Sequence, residues 1–236
     1  MAPISKAQAK WIKSLQLKKY RDEEDVFVAE GSKCVGDLQT HFKLRLLVDE
    51  QDPLRASVSS LKTPQGPLAV FEKPHYPVPE PKELSLVLDG VQDPGNVGTI
   101  IRTCDWFGIR HIYCSPACAD CFAPKVVQAT MGALGRVQVH YIDLEPFLQS
   151  QLLNLPIYGT LLEGEPIHYL PQLRPTFRSE PGLIIMGSEG NGISEALRPL
   201  ITYPLLIPSY PADCETSESL NVAIATAIVL SFFRQV

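Results

Sequence analysis

Three stretches of this 236-residue chain carry glycines and polar side chains in a pattern suited to chemistry. They are Leu84–Gly108 (LSLVLDGVQDPGNVGTIIRTCDWFG), Gly187–Ser194 (GSEGNGIS) and Ile207–Asn221 (IPSYPADCETSESLN). A glycine-rich turn, a proline-bounded loop and a helix start lie close together after two short apolar runs. Glycines let backbone approach a flat ligand, and Glu189 adds one carboxylate. The three stretches together predict a cradle of backbone donors and acceptors around a small molecule, with Leu84–Gly108 supplying side chains. Taken singly, each is an ordinary turn with solvated polar groups.

Known nucleotide and hydrolase motifs do not fit. GSEGNG spaces its glycines G-x-x-G-x-G, so it is not the dinucleotide fingerprint G-x-G-x-x-G, and it lacks the Lys-Ser/Thr pair of a P-loop. There is no G-x-S-x-G nucleophile elbow either.

The elements that must position these residues follow from the apolar pattern. From Leu84 onward strands and helices alternate. Strands are expected at Leu84–Leu88, His111–Cys114, Val137–Ile142, Ile157–Leu161, Leu183–Met186 and Leu205–Ile207. Helices are expected at Asn96–Phe107, Lys125–Met131, Leu144–Leu153 and Ser217–Arg234. This alternation of largely apolar strands with helices predicts a doubly wound, mostly parallel α/β sheet. Ligands in such sheets sit beyond the carboxyl ends of the strands, which points to loops Asp89–Asn96, Gly187–Ile193 and Pro208–Ser219. The closing helix is apolar nearly all round and needs cover on several faces, from the sheet and from a second subunit.

Before Leu84 the chain reads as a smaller α/β unit. It has a helix from Ser5 through about Lys19, broken by Asp22–Asp25, a strand at Val26–Ala29 and a helix over Gly31–Phe42. A strand at Leu44–Val48, a brief helix at Val58–Lys62 and a strand at Pro67–Phe71 complete it. Lys73–Lys82 (KPHYPVPEPK) holds four prolines and reads as a semi-rigid linker. The expected division is therefore residues 1–72, a linker at 73–82, and residues 83–236.

The net charge of −5 argues against indiscriminate nucleic-acid binding, yet Met1–Arg21 carries six basic and no acidic residues. Such a stripe can hold phosphates on an acidic protein; the bland alternative is a solvated helix face. No run of 18 apolar residues occurs and the start lacks a signal-like apolar core, so the expectation is a cytoplasmic protein that does not cross a membrane. Six cysteines are expected to be reduced thiols. Cys118-Ala-Asp-Cys121 has zinc-ligand spacing but no second ligand pair, so no metal is expected.

The three stretches resemble, in order and with their polar residues in place, the sequence motifs of the SpoU/TrmH (SPOUT) family of S-adenosylmethionine-dependent RNA ribose 2′-O-methyltransferases. Pro124–Ala133 also resembles the family, as do Lys10, FVAEGSK at Phe27–Lys33 and TPQGPLAVF at Thr63–Phe71. The last three are similar to the family's small substrate-binding domain, so the likeness covers nearly the whole chain.

The resemblance implies a deep trefoil knot in the C-terminal domain and a homodimer formed through it, with each site completed near the interface. It implies S-adenosylmethionine as cofactor and RNA as substrate, ribosomal RNA favoured over transfer RNA. Carried over residue by residue, Asn96, Arg102, Glu189, Ser219 and Asn221 are the implied catalytic set. Met186, Gly187, Gly190, Ile207, Ser209 and Leu220 are the implied cofactor contacts, mostly through backbone, and Lys10, Lys13, Lys33 and Arg102 the RNA contacts. The bland alternatives are an Arg102–Asp105 pair, a helix cap for Ser219 and a buried, satisfied amide for Asn221. The loop Ser209–Ser217 departs from the family by being longer and more acidic.

The implied reaction is largely one of orientation: a ribose 2′-OH must be aligned with the cofactor's methyl and must lose its proton. Arg102 stays protonated, so its expected role is to grip the adjacent phosphate and polarise the hydroxyl, that phosphate or Ser219 relaying the proton. Two alternatives are a catalytically silent RNA-binding protein that keeps the fold and a knotted methyltransferase acting on a base nitrogen.

Overall fold

The structure, a computed structural model, describes residues 3–211, 217 and 219–235. Helix α1 (Lys6–Ser14) begins in a capping box, in which Ser5 accepts from the Gln8 N–H and the Gln8 side chain reaches back to the Ser5 N–H. The single helix expected through Lys19 is instead two, for the chain breaks and resumes as α2 (Lys18–Glu24). Arg21 stabilises the break. Its buried guanidinium donates to the Leu15 and Gln16 carbonyls, 2.8 Å each, and pairs with Asp120 at 2.7 Å. The acidic run expected to stop the helix belongs to it: Asp22 and Glu23 pair one turn back with Lys18 and Lys19, and Asp25 at φ 55° ends α2.

Strands β1 (Val26–Glu30), β2 (Leu44–Val48) and β3 (Leu68–Glu72) form an antiparallel sheet in the order β1-β3-β2. Its one face packs under α1, where Ile12, Val28 and Val70 meet. Helix α3 (Ser32–Leu38) covers the other. Helix α4 (Arg55–Val58) lies ahead of the expected Val58–Lys62. The residues that follow it are held otherwise: Ser59 and Ser60 donate to the Glu30 carboxylate, which also faces Arg55 at 3.1 Å. Residues 73–82 have no regular structure but are pinned at both ends. The Lys73 N–H donates to the Asp25 carbonyl at 2.9 Å, and the Tyr113 hydroxyl donates to the Pro79 carbonyl at 2.9 Å.

The second sheet contains β4 (Leu84–Asp89), β5 (His111–Cys114), β6 (Gln138–Tyr141), β7 (Ile157–Pro166), β8 (Gly182–Gly187) and β9 (Tyr203–Leu206), in the order β6-β5-β4-β8-β7-β9. Every pairing in it is parallel. Strands β4 and β8 are buried along their length, Ser85 of β4 included, as covering on both faces requires. Strand β7 runs five residues beyond expectation, past a register shift between Thr160 and Glu165. Helices α5 (Pro94–Trp106), α6 (Pro124–Thr130), α7 (Leu144–Gln151), α8 (Leu170–Leu173) and α9 (Val222–Phe233) complete the layers. A Cβ at Gly98 would collide with Ala129, so glycine lets α5 and α6 approach closely.

One core cluster runs from Phe27, Leu38 and Phe71 of the N-terminal part into Ile100, Val126 and Ile184 of the large sheet. The Phe27 and Phe122 rings meet at 5.0 Å within it. Among the described residues no helix is long and apolar enough to cross a membrane.

Candidate active site

The loops that leave β4 and β8 at their carboxyl ends converge on the start of α9. Asp93 caps α5, accepting from the Asn96 N–H at 2.8 Å, with Pro94 at the first helical position. This sets Asn96 in the first turn, beside the β8 loop. That loop is a tight hairpin in which Ser188 and Gly192 exchange backbone bonds of 3.0 and 2.9 Å. A Cβ at Gly187 would run into the Gly192 and Ile193 backbone, so only glycine closes the hairpin. Asp89 ties it to β4 by accepting from the Ser194 N–H at 2.7 Å.

Asn221 joins the three segments. Its Oδ1 accepts from the Ala223 and Ile224 N–H groups, so Asn221 is the cap of α9. The helix therefore starts at Val222, not at Ser217 as expected, and the capping residue is Asn221 rather than Ser219. With the oxygen committed to the cap, Nδ2 must face the other way. It donates to Glu189 Oε1 at 2.6 Å and to Asn96 Oδ1 at 3.0 Å. Asn96 Nδ2 donates to the same Glu189 Oε1 at 2.9 Å. Asn96, Glu189 and Asn221, from residues up to 125 positions apart, thus form a closed ring of side chains that is exposed to solvent. Asn221 is no buried amide.

Arg102 stands nearly two turns beyond Asn96 on the exposed side of α5, with no ion pair among the described residues. Asp105 is not its partner, because Arg136 holds both Asp105 oxygens at 2.8 and 2.7 Å. Ser219 is exposed beside this region. Of the expected cofactor contacts, Met186 is buried in β8, so only its backbone is available. Gly187 and Gly190 lie in the hairpin, Ile207 and Ser209 follow β9, and Leu220 is exposed next to Asn221. A Cβ at Gly190 or Gly192 would meet nothing within 4 Å, so the hairpin's outer face is open. Open backbone, two apolar side chains at Ile207 and Leu220, and one carboxylate suit a small molecule with a flat apolar part and a positive charge. Residues 212–216, with Cys214 and most of the acidic loop, fall outside the described residues.

Sequence reasoning missed the supports of this ring. Asp89, Asp93 and Ser115 each fix a loop: Ser115 Oγ accepts from the Gly90 N–H at 2.9 Å, and the Ala119 N–H donates to the Val91 carbonyl at 3.0 Å. The Asp-Pro pair at a helix start was a readable signal for Asp93. Burial pushes the Tyr141 hydroxyl well above its ordinary range, and it remains a donor, to the Ala119 carbonyl at 2.5 Å. Cys118 and Cys121 are buried in this same loop, where burial pushes the Cys121 thiol up to about 12. Among the described residues no group of three or more metal-ligating side chains exists.

The expected RNA contacts do not form one patch. Lys6, Lys10 and Lys13 line one exposed side of α1, outside the N-terminal sheet, and Lys33 starts α3 on the opposite face. Lys18, Lys19 and Arg21 are taken up by Asp22, Glu23 and Asp120.

Fold and site together define an α/β protein with a parallel six-stranded sheet and a candidate site built from loops beyond the strand ends. Residues 83–231 match the SpoU rRNA Methylase family, and the chain belongs to that family, as a methyltransferase of the SpoU/TrmH type. A 23S rRNA (guanosine(2553)-2′-O)-methyltransferase, RlmP of Bacillus subtilis, is 30% identical over 89% of this chain and 80% of its own length. A solved TrmH-family protein from Porphyromonas gingivalis superposes with a TM-score of 0.88 at 42% identity, covering 99% of each chain. An AdoMet-bound rRNA methyltransferase from Sinorhizobium meliloti superposes at 0.85 with 28% identity, over 99% of this chain and 96% of that one.

Proposed function

We propose that this protein transfers a methyl group from S-adenosylmethionine to a ribose 2′-OH of RNA, ribosomal RNA before transfer RNA. The observation that carries the reading is the Asn96–Glu189–Asn221 ring together with Arg102, exposed on the helix that carries Asn96 and without an ion pair among the described residues. When bound, the cofactor supplies a methyl on a sulfonium, a good electrophile. The open hairpin Gly187–Gly192 with Ile207, Ser209 and Leu220 would hold it, largely through backbone. Arg102, projecting from a rigid helix, grips the phosphate next to the target ribose and polarises the 2′-OH, while that phosphate or Ser219 takes the proton. The ring ties three loops together in one register, which is what an orientation-limited reaction needs.

Lys10 and Lys13 serve as distant phosphate contacts, and Lys33 as a separate one, in an N-terminal RNA-binding domain over residues 1–72 joined by 73–82 to a catalytic domain over 83–236. A deep trefoil knot is part of the reading. Strand β9 lies at the sheet edge, yet Asn221 sits against Glu189 beyond β8, two strands further in. A homodimer is the other part. Helices α5 and α9 lie side by side with Asn96 near Asn221 at one end and the Arg234 guanidinium on the Phe107 carbonyl at the other. They expose Trp106 (85%), Ile224 (53%) and Ile228 (38%), large apolar groups that a second copy would cover. The buried free thiols Cys34, Cys104, Cys114, Cys118 and Cys121 suit the reducing cytoplasm, the compartment proposed.

The test is calorimetric titration with S-adenosylmethionine, followed by transfer of labelled methyl to RNA and mapping of the product. One saturable site per subunit and label on the 2′-oxygen are expected. No binding at millimolar cofactor would leave a silent RNA-binding protein, and label on a base would overturn the 2′-O assignment.

A further inference from the structure

Resting on the methyltransferase reading, we propose that Glu189 is the specificity residue that distinguishes the charged cofactor from its demethylated product. S-adenosylmethionine and S-adenosylhomocysteine share every group except one: the sulfonium loses its methyl and its positive charge together. Hydrogen bonds to adenine, ribose or the amino-acid end cannot separate them. A fixed negative charge can, because it attracts only the cation.

Three described carboxylates stand where the loops meet, and two are spoken for. Asp89 holds the Ser194 N–H. Asp93 caps α5, where its charge answers the helix N-terminus. Glu189 differs from both. Its partners among the described residues are the neutral amides of Asn96 and Asn221, both on Oε1, so its charge is held in place without being neutralised. It makes no salt bridge among the described residues, and no described group bonds Oε2. The two amides are themselves fixed, Asn221 by capping α9 and Asn96 by the first turn of α5. The outcome is an anion with a locked orientation, one oxygen without a partner among the described residues, on the hairpin whose outer face is open. A permanent cation with no acidic proton is the ligand chemistry such a group selects. Once the methyl has left, the attraction disappears, which favours release of product over cofactor.

Glu189→Gln isolates the charge, because the amide oxygen still accepts from Asn96 and Asn221. Titrations of wild type and variant with each compound should show S-adenosylmethionine weakened about tenfold and S-adenosylhomocysteine changed less than about twofold. Glu189→Asp, which keeps the charge, should retain the wild-type preference for the cation even where both affinities fall. Equal weakening of both ligands in Glu189→Gln would reduce Glu189 to a loop fastener and overturn the proposal, as would no change in either. A wild-type protein that binds neither compound refutes the methyltransferase reading instead, so the two failures are separable.

Discussion

Asn221 does two jobs with one side chain, and the jobs can be separated by substitution. Asn221→Ala removes the cap of α9, worth about 1 kcal/mol. It also removes two side-chain hydrogen bonds in an exposed setting, about 0.5 kcal/mol each. The sum of about 2 kcal/mol should lower Tm by about 4–8 °C in a chain of this length. Asn96→Ala loses two bonds of the same ring but leaves α5 capped by Asp93, so its loss should be about half as large. Asn221→Ser is the decisive variant. Serine caps helices well, so about 1 kcal/mol should return, but its short hydroxyl cannot reach both Glu189 and Asn96, so cofactor affinity should stay as low as in Asn221→Ala. Asn221→Asp also keeps the cap while placing a second carboxylate where an amide now lies 2.6 Å from Glu189. Two such carboxylates cannot both ionise, so this variant should gain stability as pH falls. Thermal unfolding and cofactor titration read all four. The reasoning fails if Asn221→Ser unfolds as early as Asn221→Ala, or if Asn96→Ala is the more damaging of the alanine variants.

Arg102→Ala should cut methyl transfer by about a hundredfold while cofactor affinity moves less than about twofold; transfer within a few-fold of wild type would remove Arg102 from the mechanism. Reversing Lys10 and Lys13 to Glu should weaken RNA binding and make log affinity against log salt shallower by about 1.5, two phosphate contacts' worth; an unchanged slope excludes α1 from the RNA surface. Trp106→Glu or Ile228→Glu should yield a monomer in sedimentation, and a persistent dimer would place the interface elsewhere. Burial, and His111 at 3.3 Å, bring His140 down to about 4 from 6.5. The unfolded chain then takes up that proton first, so stability is full above 6.5 and declines toward pH 4, by at most about 3 kcal/mol. Urea unfolding at pH 7 and 5 should show this fall and a smaller one in His140→Gln; equal falls would exclude His140 as the cause.

Much of this architecture is legible because apolar runs bounded by turn residues leave few choices. Strands β2 and β5 fall where the alternation places them, residue for residue. What the sequence hides is decided by distant partners. The break between α1 and α2 depends on Arg21, anchored by an aspartate 99 positions away. The start of α9 is a choice between two good capping residues, Ser219 and Asn221, and contact with Glu189 and Asn96 settles it. Helix α4 ends early because Glu30 claims the serines that follow it. In the candidate site, residue types and order were readable through the family likeness. The sharing of one Glu189 oxygen by two amides was not, since it is a fact of loop packing.

The continuous core between the two sheets has a geometric consequence. Phe27 on Phe122, Arg21 on Asp120 and the pinned ends of residues 73–82 tie the N-terminal part to the large sheet at several separate places. If α1 grips RNA at Lys10 and Lys13, the span from that grip to Arg102 is set by the fold, like the gap of a caliper. A target would then be chosen by how far its methylated ribose lies from a backbone segment elsewhere on the same RNA. Such a device measures shape before it reads any base.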